Sequence, residues 1–265
     1  MVVIDCESRE MALSSMSNLF NIGKLEVENF LVRKNWISVY EKNPFWYIKM
    51  QFSDFMFKMF QKKFGDFNNV DKICWFHLAR SLNTEGYDDG ILPLNEIKPI
   101  LLDQLYQLVE REISREDWEK ISRHGAGGHN GWLYNTKITN RVHYGPYAML
   151  IRDIAFYSKE AGNHDYLRIP EIVEDIAVGV KENYGIDMFQ RYWKNSQSVI
   201  VKFWKQPRSR ETVENYIGIV LIYLYYILHN MPLSIGCNTC IDNQGIKVDK
   251  SDVLKVDIIK EYIVD

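Results

Sequence analysis

The chain has few of the features that assign a protein to a specialised class. Four cysteines in 265 residues, Cys6, Cys74, Cys237 and Cys240, are too few and too scattered for a disulfide framework, so a reducing cytosol is the expected compartment. Cys237-x-x-Cys240 has no second ligand pair and no thioredoxin-like helix after it, and a metal-free pair is expected. The longest apolar run, Ile217 to Leu228, falls short of the roughly 20 residues that span a bilayer. The opening MVVIDCESRE lacks the basic-then-apolar plan of a secretion signal. No membrane partner is therefore expected. A net charge of −3 supplies no global attraction to nucleic acid, so any such binding needs a local basic patch. No internal repeat, low-complexity tract or clear linker interrupts the chain, and one domain over residues 1–265 is the simpler expectation.

What is present reads as an ordinary globular protein. With 46% hydrophobic and 25% charged residues, the chain is long enough and apolar enough to bury a core. The expected class is α+β: a mixed or antiparallel β core with N-terminal and C-terminal helices packed around it. Residues 1–70 read as a helical N-terminal region and residues 71–265 as the core. Pro44 opens an amphipathic segment, Phe45 to Phe64, whose Ile48, Phe52, Phe55, Met56, Met59 and Phe60 recur at helical spacing. That stripe suits a core face better than a partner-binding face. A second helix is expected from Glu96 to about Ile113, capped by Asn95, and Ser114 with Asp117 resembles the capping box of a third. Four glycines between Gly125 and Gly131 predict a loop, either a linker or an active-site lid. Thr136 to Phe156 reads as strand, with Gly145-Pro146 marking a bend before Tyr147. Val199 to Trp204 reads as a buried strand, Glu211 to His229 as a buried helix, and Val253 to Val264 as a terminal strand.

The most informative stretch runs from Asp71 to Leu94. Ile73, Cys74, Trp75, Phe76 and Leu78 form a compact apolar run of strand length. His77 and Arg80 interrupt it, and Ser81 follows. A histidine here can donate from one ring nitrogen and accept at the other, which suits a ribose hydroxyl. Arg80 can offer a planar fork to a phosphate. A hydrogen-bonded core histidine and a solvated strand-end arginine are the plainer reading of the same residues.

A second stretch, Asn163 to Val178, gathers His164, Asp165, Glu171, Glu174 and Asp175 around Pro170. Paired carboxylates perform acid–base work when a fold converges them. Surface charges around a proline turn are the plainer alternative.

The order strand, His77, short link, Gly90-Ile91-Leu92-Pro93-Leu94 resembles the opening of ADP-ribosyltransferase-type folds. The likeness is to the branch of DNA-modifying ADP-ribosyltransferase toxins and RNA 2′-phosphotransferases. There a first strand carries His-x-Thr or Arg, and a short helix leads to hydrophobic-x-x-Gly-Leu. Ala79 stands where that family has a small hydroxyl residue. In the later stretch the family's catalytic Glu, which opens a hydrophobic strand ending in Pro, matches Asp165, with Glu171 or Glu174 as the other positions able to take the role.

The resemblance implies an NAD-dependent ADP-ribosyltransferase-like protein of toxin or defence type. It would cleave the nicotinamide–ribose bond and modify a nucleic acid or protein acceptor, with NAD as substrate and no metal. It places His77 on the ribose, Arg80 on the pyrophosphate and Tyr147 on the nicotinamide face, with Ser81 also among the cofactor-binding residues. Asp165 or Glu171 becomes the catalytic carboxylate. Two other classes stay open: a non-catalytic interaction, immunity or regulatory protein, and a metal-dependent nuclease using Asp165, Glu171, Glu174 and Asp175.

Overall fold

A computed structural model describes residues 1–42, 50–83 and 87–260. Pro44, Phe45 and Ile48, the expected entry to the N-terminal amphipathic helix, lie outside the described residues, as does the end of the expected terminal strand beyond residue 260.

In chain order the elements are β1 (Val3–Ile4), α1 (Arg9–Phe20), α2 (Lys24–Val32), α3 (Trp36–Glu41), α4 (Phe52–Phe64), β2 (Lys72–Ser81), α5 (Leu94–Gln107), α6 (Arg115–His124) and α7 (Gly128–Thr139). There follow β3 (Tyr147–Met149), α8 (Ser158–Ala161), α9 (Glu171–Tyr184), α10 (Met188–Asn195), β4 (Gln197–Lys205), α11 (Arg210–Leu228), β5 (Cys240–Asp242) and β6 (Val253–Ile259). The fold is α+β, with 54% helix and 14% strand among the described residues. The strand order is β5-β3-β2-β4-β6, with β1 also paired to β2. The sheet is mixed: β1 runs parallel to β2, whereas β3 is antiparallel to β2 with Phe76 opposite Met149.

The described residues fall into two compact units interleaved along the chain. One lies within Met1–Phe76, Met149–Asn163 and Phe203–Ile241. The other lies within His77–Ala148, His164–Lys202 and Asp242–Asp265.

In the first unit, α11 is buried nearly all round, as its unbroken apolar sequence requires, with Ile217, Val220, Leu221 and Leu224 sealed from solvent. It packs against α4 so closely that a Cβ on Gly218 would lie 2.2 Å from the Ser53 carbonyl oxygen. The Met- and Phe-rich stripe of α4 is core: Phe55, Met56, Phe57 and Phe60 are buried. Phe60 meets the rings of Phe20 and Phe30 edge-on at 4.7 and 5.0 Å, the arrangement that the ring quadrupoles favour.

The second unit has its own core, built from Leu102, Leu105, Trp118, Ile121, Tyr134, Ile172, Val173, Ile176 and Val180 among others. Ser114 caps α6 as expected, accepting from the Asp117 amide at 3.1 Å. Three expectations are corrected by the structure.

The glycine-rich segment is not one long loop. Gly125, at φ +73, ends α6, and Gly127, at φ +92, opens α7. Gly131 is already helical, and a Cβ on Gly125 would lie 2.6 Å from its Cα. The glycines make a tight corner between two helices, which their freedom at positive φ permits. The second correction is that most of Thr136 to Phe156 is not strand: only Tyr147–Met149 pairs in the sheet, and 3-10 turns flank it.

Third, the carboxylate-rich stretch is a turn followed by α9, with Pro170 as its N-cap and Glu171 and Glu174 in its first turn. Ile172, Val173, Ile176, Ala177 and Val180 face the core at helical spacing, and that periodicity outweighs the strand-like flavour of Ile and Val. A smaller departure is α5, which begins at Leu94 with Pro93 as its N-cap in place of Asn95.

Candidate functional site

The site begins on β2. His77 is half-buried, and its Nδ1 lies 2.7 Å from the backbone oxygen of Tyr147. A carbonyl can only accept, so Nδ1 carries the hydrogen and Nε2 is left as an acceptor. Burial pushes the His77 pKa below its ordinary 6.5, outweighing the hydrogen bond to Tyr147. The ring is therefore a neutral imidazole of fixed tautomer, able to accept from a hydroxyl group.

Arg80 has a different setting. It is 8% exposed, and its guanidinium donates from Nε to Ser196 Oγ, from NH1 to Ser198 Oγ and Leu167 O, and from NH2 to Trp193 O and Ser196 O. An arginine has only five N–H donors, and all are engaged. The guanidinium also lies over the Trp193 ring, 3.7 Å from its centroid, and the Tyr192 hydroxyl donates to the Arg80 carbonyl. Burial lowers the Arg80 pKa, and Tyr192 and Asp165 act against that lowering. The side chain thus ties β2 to the α10–β4 turn and leaves no N–H over for a pyrophosphate.

Asp165 belongs to this second grouping. It accepts from the Arg168 amide at 3.0 Å and its charge acts on Arg80. Ser81 closes a local turn, donating to Asn83 O at 2.7 Å and accepting from Asn83 N at 3.1 Å.

Tyr147 connects His77 to the other carboxylates. The residue is 38% exposed, and its hydroxyl donates to Val142 O. The segment before it is held in place by neighbouring chain: Tyr144 O accepts from Leu94 N at 2.9 Å, and Pro146 O accepts from Asn243 N at 3.1 Å. Burial raises the Tyr147 pKa, and the carboxylates of Asp242 and Glu171 raise it further.

Glu171 is the first residue of α9, so its carboxylate sits at the positive end of the helix dipole. Its Oε1 accepts from the Tyr166 hydroxyl at 2.7 Å. Its Oε2 lies 3.5 Å from Lys137 Nζ, which also reaches Asp175 Oδ2 at 2.7 Å. Glu171 and Asp175 are one turn apart and share a face of α9. The Glu171 side chain is 37% exposed and that of Asp175 only 7%, so the lysine bridges a buried carboxylate to one that meets solvent.

Burial raises the Asp175 pKa, Lys137 works against that rise, and Glu171 and Glu174 add to it. His164 completes the group, with Nε2 2.6 Å from Ile169 O and its ring edge-on to Tyr166 at 4.8 Å.

The structure thus sorts the residues singled out in the sequence into two groupings. His77 and Tyr147 are bonded, and Glu171 acts on Tyr147. Arg80 and Asp165 make the other, with Ser81 in its own turn. Lys137 and Tyr166 are functional candidates that sequence reasoning passed over, and Asp175, named there as one of a cluster of carboxylates, is the one that Lys137 holds. The one-turn spacing of Glu171 and Asp175 was a usable signal once the segment is taken as helix.

No family model, curated protein or solved structure matches the chain.

Among the described residues, no group of three or more His, Cys, Asp or Glu side chains is placed to hold a metal ion. Cys237 is buried, and burial pushes its thiol pKa upward. No helix among the described residues is long and apolar enough to cross a membrane. A surface depression of about 260 Å³ lies elsewhere in this unit, lined by Tyr87, Asp88, Lys250 and Val253 to Val256.

Proposed function

We propose that the chain acts on NAD as an ADP-ribosyltransferase-like enzyme, with Tyr147 as the centre of its site. The observation that carries this reading is the double role of that residue. Its carbonyl fixes the His77 tautomer, and Glu171, after burial and Asp242, is among the causes that raise its phenol pKa.

The chemistry follows from the groups. The bond between ribose C1′ and the nicotinamide nitrogen breaks, its electron pair goes to that nitrogen, and positive charge develops on the ribose. A carboxylate beside that carbon stabilises the transition state, and Glu171 takes this role. The exposed Tyr147 face receives the nicotinamide ring, and His77 Nε2 accepts from a ribose hydroxyl. The acceptor, a nucleic acid or protein nucleophile, donates its electron pair to C1′ and releases its proton to solvent. Lys137, backed by Asp175, positions the Glu171 carboxylate. Arg80 and Asp165 support the site from a distance by holding the end of β2.

Incubation with NAD labelled in the nicotinamide ring tests the reading. The wild type should release nicotinamide, and Glu171→Gln should lose that release while keeping its circular dichroism spectrum. No release and no NAD binding by folded wild type would overturn it and leave the non-catalytic interaction role, which the exposed apolar face of β6 favours.

A further inference from the structure

Glu171 opens α9, and its side chain turns about several single bonds, so its place in a site depends on what holds it. Two elements supply the hold. Lys137 of α7 lies 3.5 Å from Oε2, but the same ammonium lies 2.7 Å from Asp175 Oδ2, so the lysine is drawn first to the buried aspartate. Tyr166 donates to Oε1 at 2.7 Å, the closer of the two contacts on Glu171.

Tyr166 is carried by a turn that is tied down on both sides of it. His164 Nε2 meets Ile169 O at 2.6 Å and closes the turn. The Asp165 carbonyl accepts from the amides of Arg168 and Ile169 at 3.0 and 3.1 Å. Leu167, sealed from solvent, gives its carbonyl to Ser198 Oγ at 2.7 Å and to Arg80 NH1 at 3.3 Å. A tyrosine has few side-chain torsions to fix, so a rigid turn delivers a rigid hydroxyl. The buried Arg80 network thus reaches the site through the chain: Leu167, which it grips, is the immediate neighbour of the residue that holds Glu171.

We infer that Tyr166 is a positioning residue, whose hydroxyl keeps the Glu171 carboxylate ionised and aimed, and that the Arg80-anchored turn over residues 164–169 is the arm that presents it. A hydrogen bond to the charged form of an acid favours that form. A group already set in its working geometry needs no reorganisation at the transition state. The titratable groups around the pair are Lys137 from α7, His164 from the turn, Glu174 and Asp175 from α9, and Tyr147 from β3. The consequence for turnover rests on the NAD reading; the hold on Glu171 does not.

A carbon NMR titration of the full chain, labelled at the glutamate side-chain carboxyls, tests the hold without any ligand. The Glu171 signal is the one missing from Glu171→Gln. In Tyr166→Phe, which keeps the ring and removes the hydroxyl, the Glu171 midpoint should rise by about half a pH unit or more. Replacing Tyr166 by 3-fluorotyrosine leaves the packing almost unchanged and makes the hydroxyl a stronger donor, so the midpoint should fall below that of wild type. This second substitution decides the matter if Tyr166→Phe does not melt cooperatively. Nicotinamide release gives the other readout: Tyr166→Phe should lower kcat about tenfold and change KM for NAD by less than about twofold. A Glu171 midpoint that stays the same across the substitutions overturns the inference, as does an active wild type whose kcat survives loss of the hydroxyl. A wild type that releases no nicotinamide while its Glu171 midpoint moves as expected removes the NAD reading and upholds the hold.

Discussion

The backbone oxygen of Tyr147 accepts from His77 Nδ1 at 2.7 Å, so a residue of the short strand β3 sets the proton position on a ring carried by β2. This contact separates what His77 does for the fold from what its free nitrogen does for a ligand.

That separation has a pH signature. The His77 pKa is held below its ordinary 6.5, chiefly by burial, so between the two values the unfolded chain binds the proton more readily. The stabilisation is fully present above the unfolded pKa and is lost as pH falls through the folded one. In His77→Asn the side-chain amide takes the place of Nδ1–H but cannot titrate. Denaturant melts from about pH 7.5 to about pH 5 should show the wild type losing stability relative to this variant. Parallel pH curves would contradict the assignment.

Arg80 is expected to matter for stability. Arg80→Met removes five donated bonds and leaves buried acceptors, including Ser196 O and Leu167 O, short of partners. Such losses cost roughly 3 kcal/mol or more. The unfolding midpoint in urea should fall accordingly, and a change below about 1 kcal/mol would contradict the network.

Strand arithmetic explains part of what sequence reading could and could not reach. His77 and Arg80 stand three residues apart, and on a strand an odd separation sends side chains to opposite faces. Their different surroundings were therefore legible in the sequence once β2 was recognised, and so was the poor prospect of both gripping one dinucleotide. The helical period of α9 was legible too, in Ile172, Val173, Ile176 and Val180, but the likeness to a hydrophobic strand ending in Pro, with Asp165 at its start, drew attention away from it. Ser114 and the apolar run of α11 announced their helices directly, because caps and periodicity are local. Lys137 was beyond reach: it meets Asp175 across 38 positions, and only the packing of α7 on α9 brings them together. Gly179 admits that packing, since a Cβ there would lie 2.5 Å from the Ala126 Cβ.

The Lys137–Asp175 pair makes a further case. Lys137→Met leaves Asp175 buried without its counter-charge, a loss of roughly 3 kcal/mol, whereas Lys137→Met with Asp175→Leu should recover most of it. The Asp175 pKa is raised above 3.8, burial being the largest cause. A raised carboxyl contributes stability below the unfolded value and loses it as pH rises through the folded one. Subtracting the stability curve of Asp175→Asn from that of wild type should expose this slope in the acid range; a slope of opposite sign would contradict it.

Gly90 marks the turn into Ile91, which bridges to Val248. It has φ +90, and a Cβ there would lie 2.0 Å from the Val248 carbonyl oxygen. Gly90→Ala should cost roughly 2 kcal/mol or more, read as a lowered thermal midpoint. An unchanged midpoint would show that the turn relaxes freely.

The central claim is that the carboxylate of Glu171, and not that of Asp165, faces the ribose of NAD. The most direct measurement is the rate of nicotinamide release by Glu171→Gln beside Asp165→Asn, both checked for native folding. The expected result is a loss of about a hundredfold or more in the first and a rate near wild type in the second. Undiminished release by Glu171→Gln, or a loss confined to Asp165→Asn, would contradict the account.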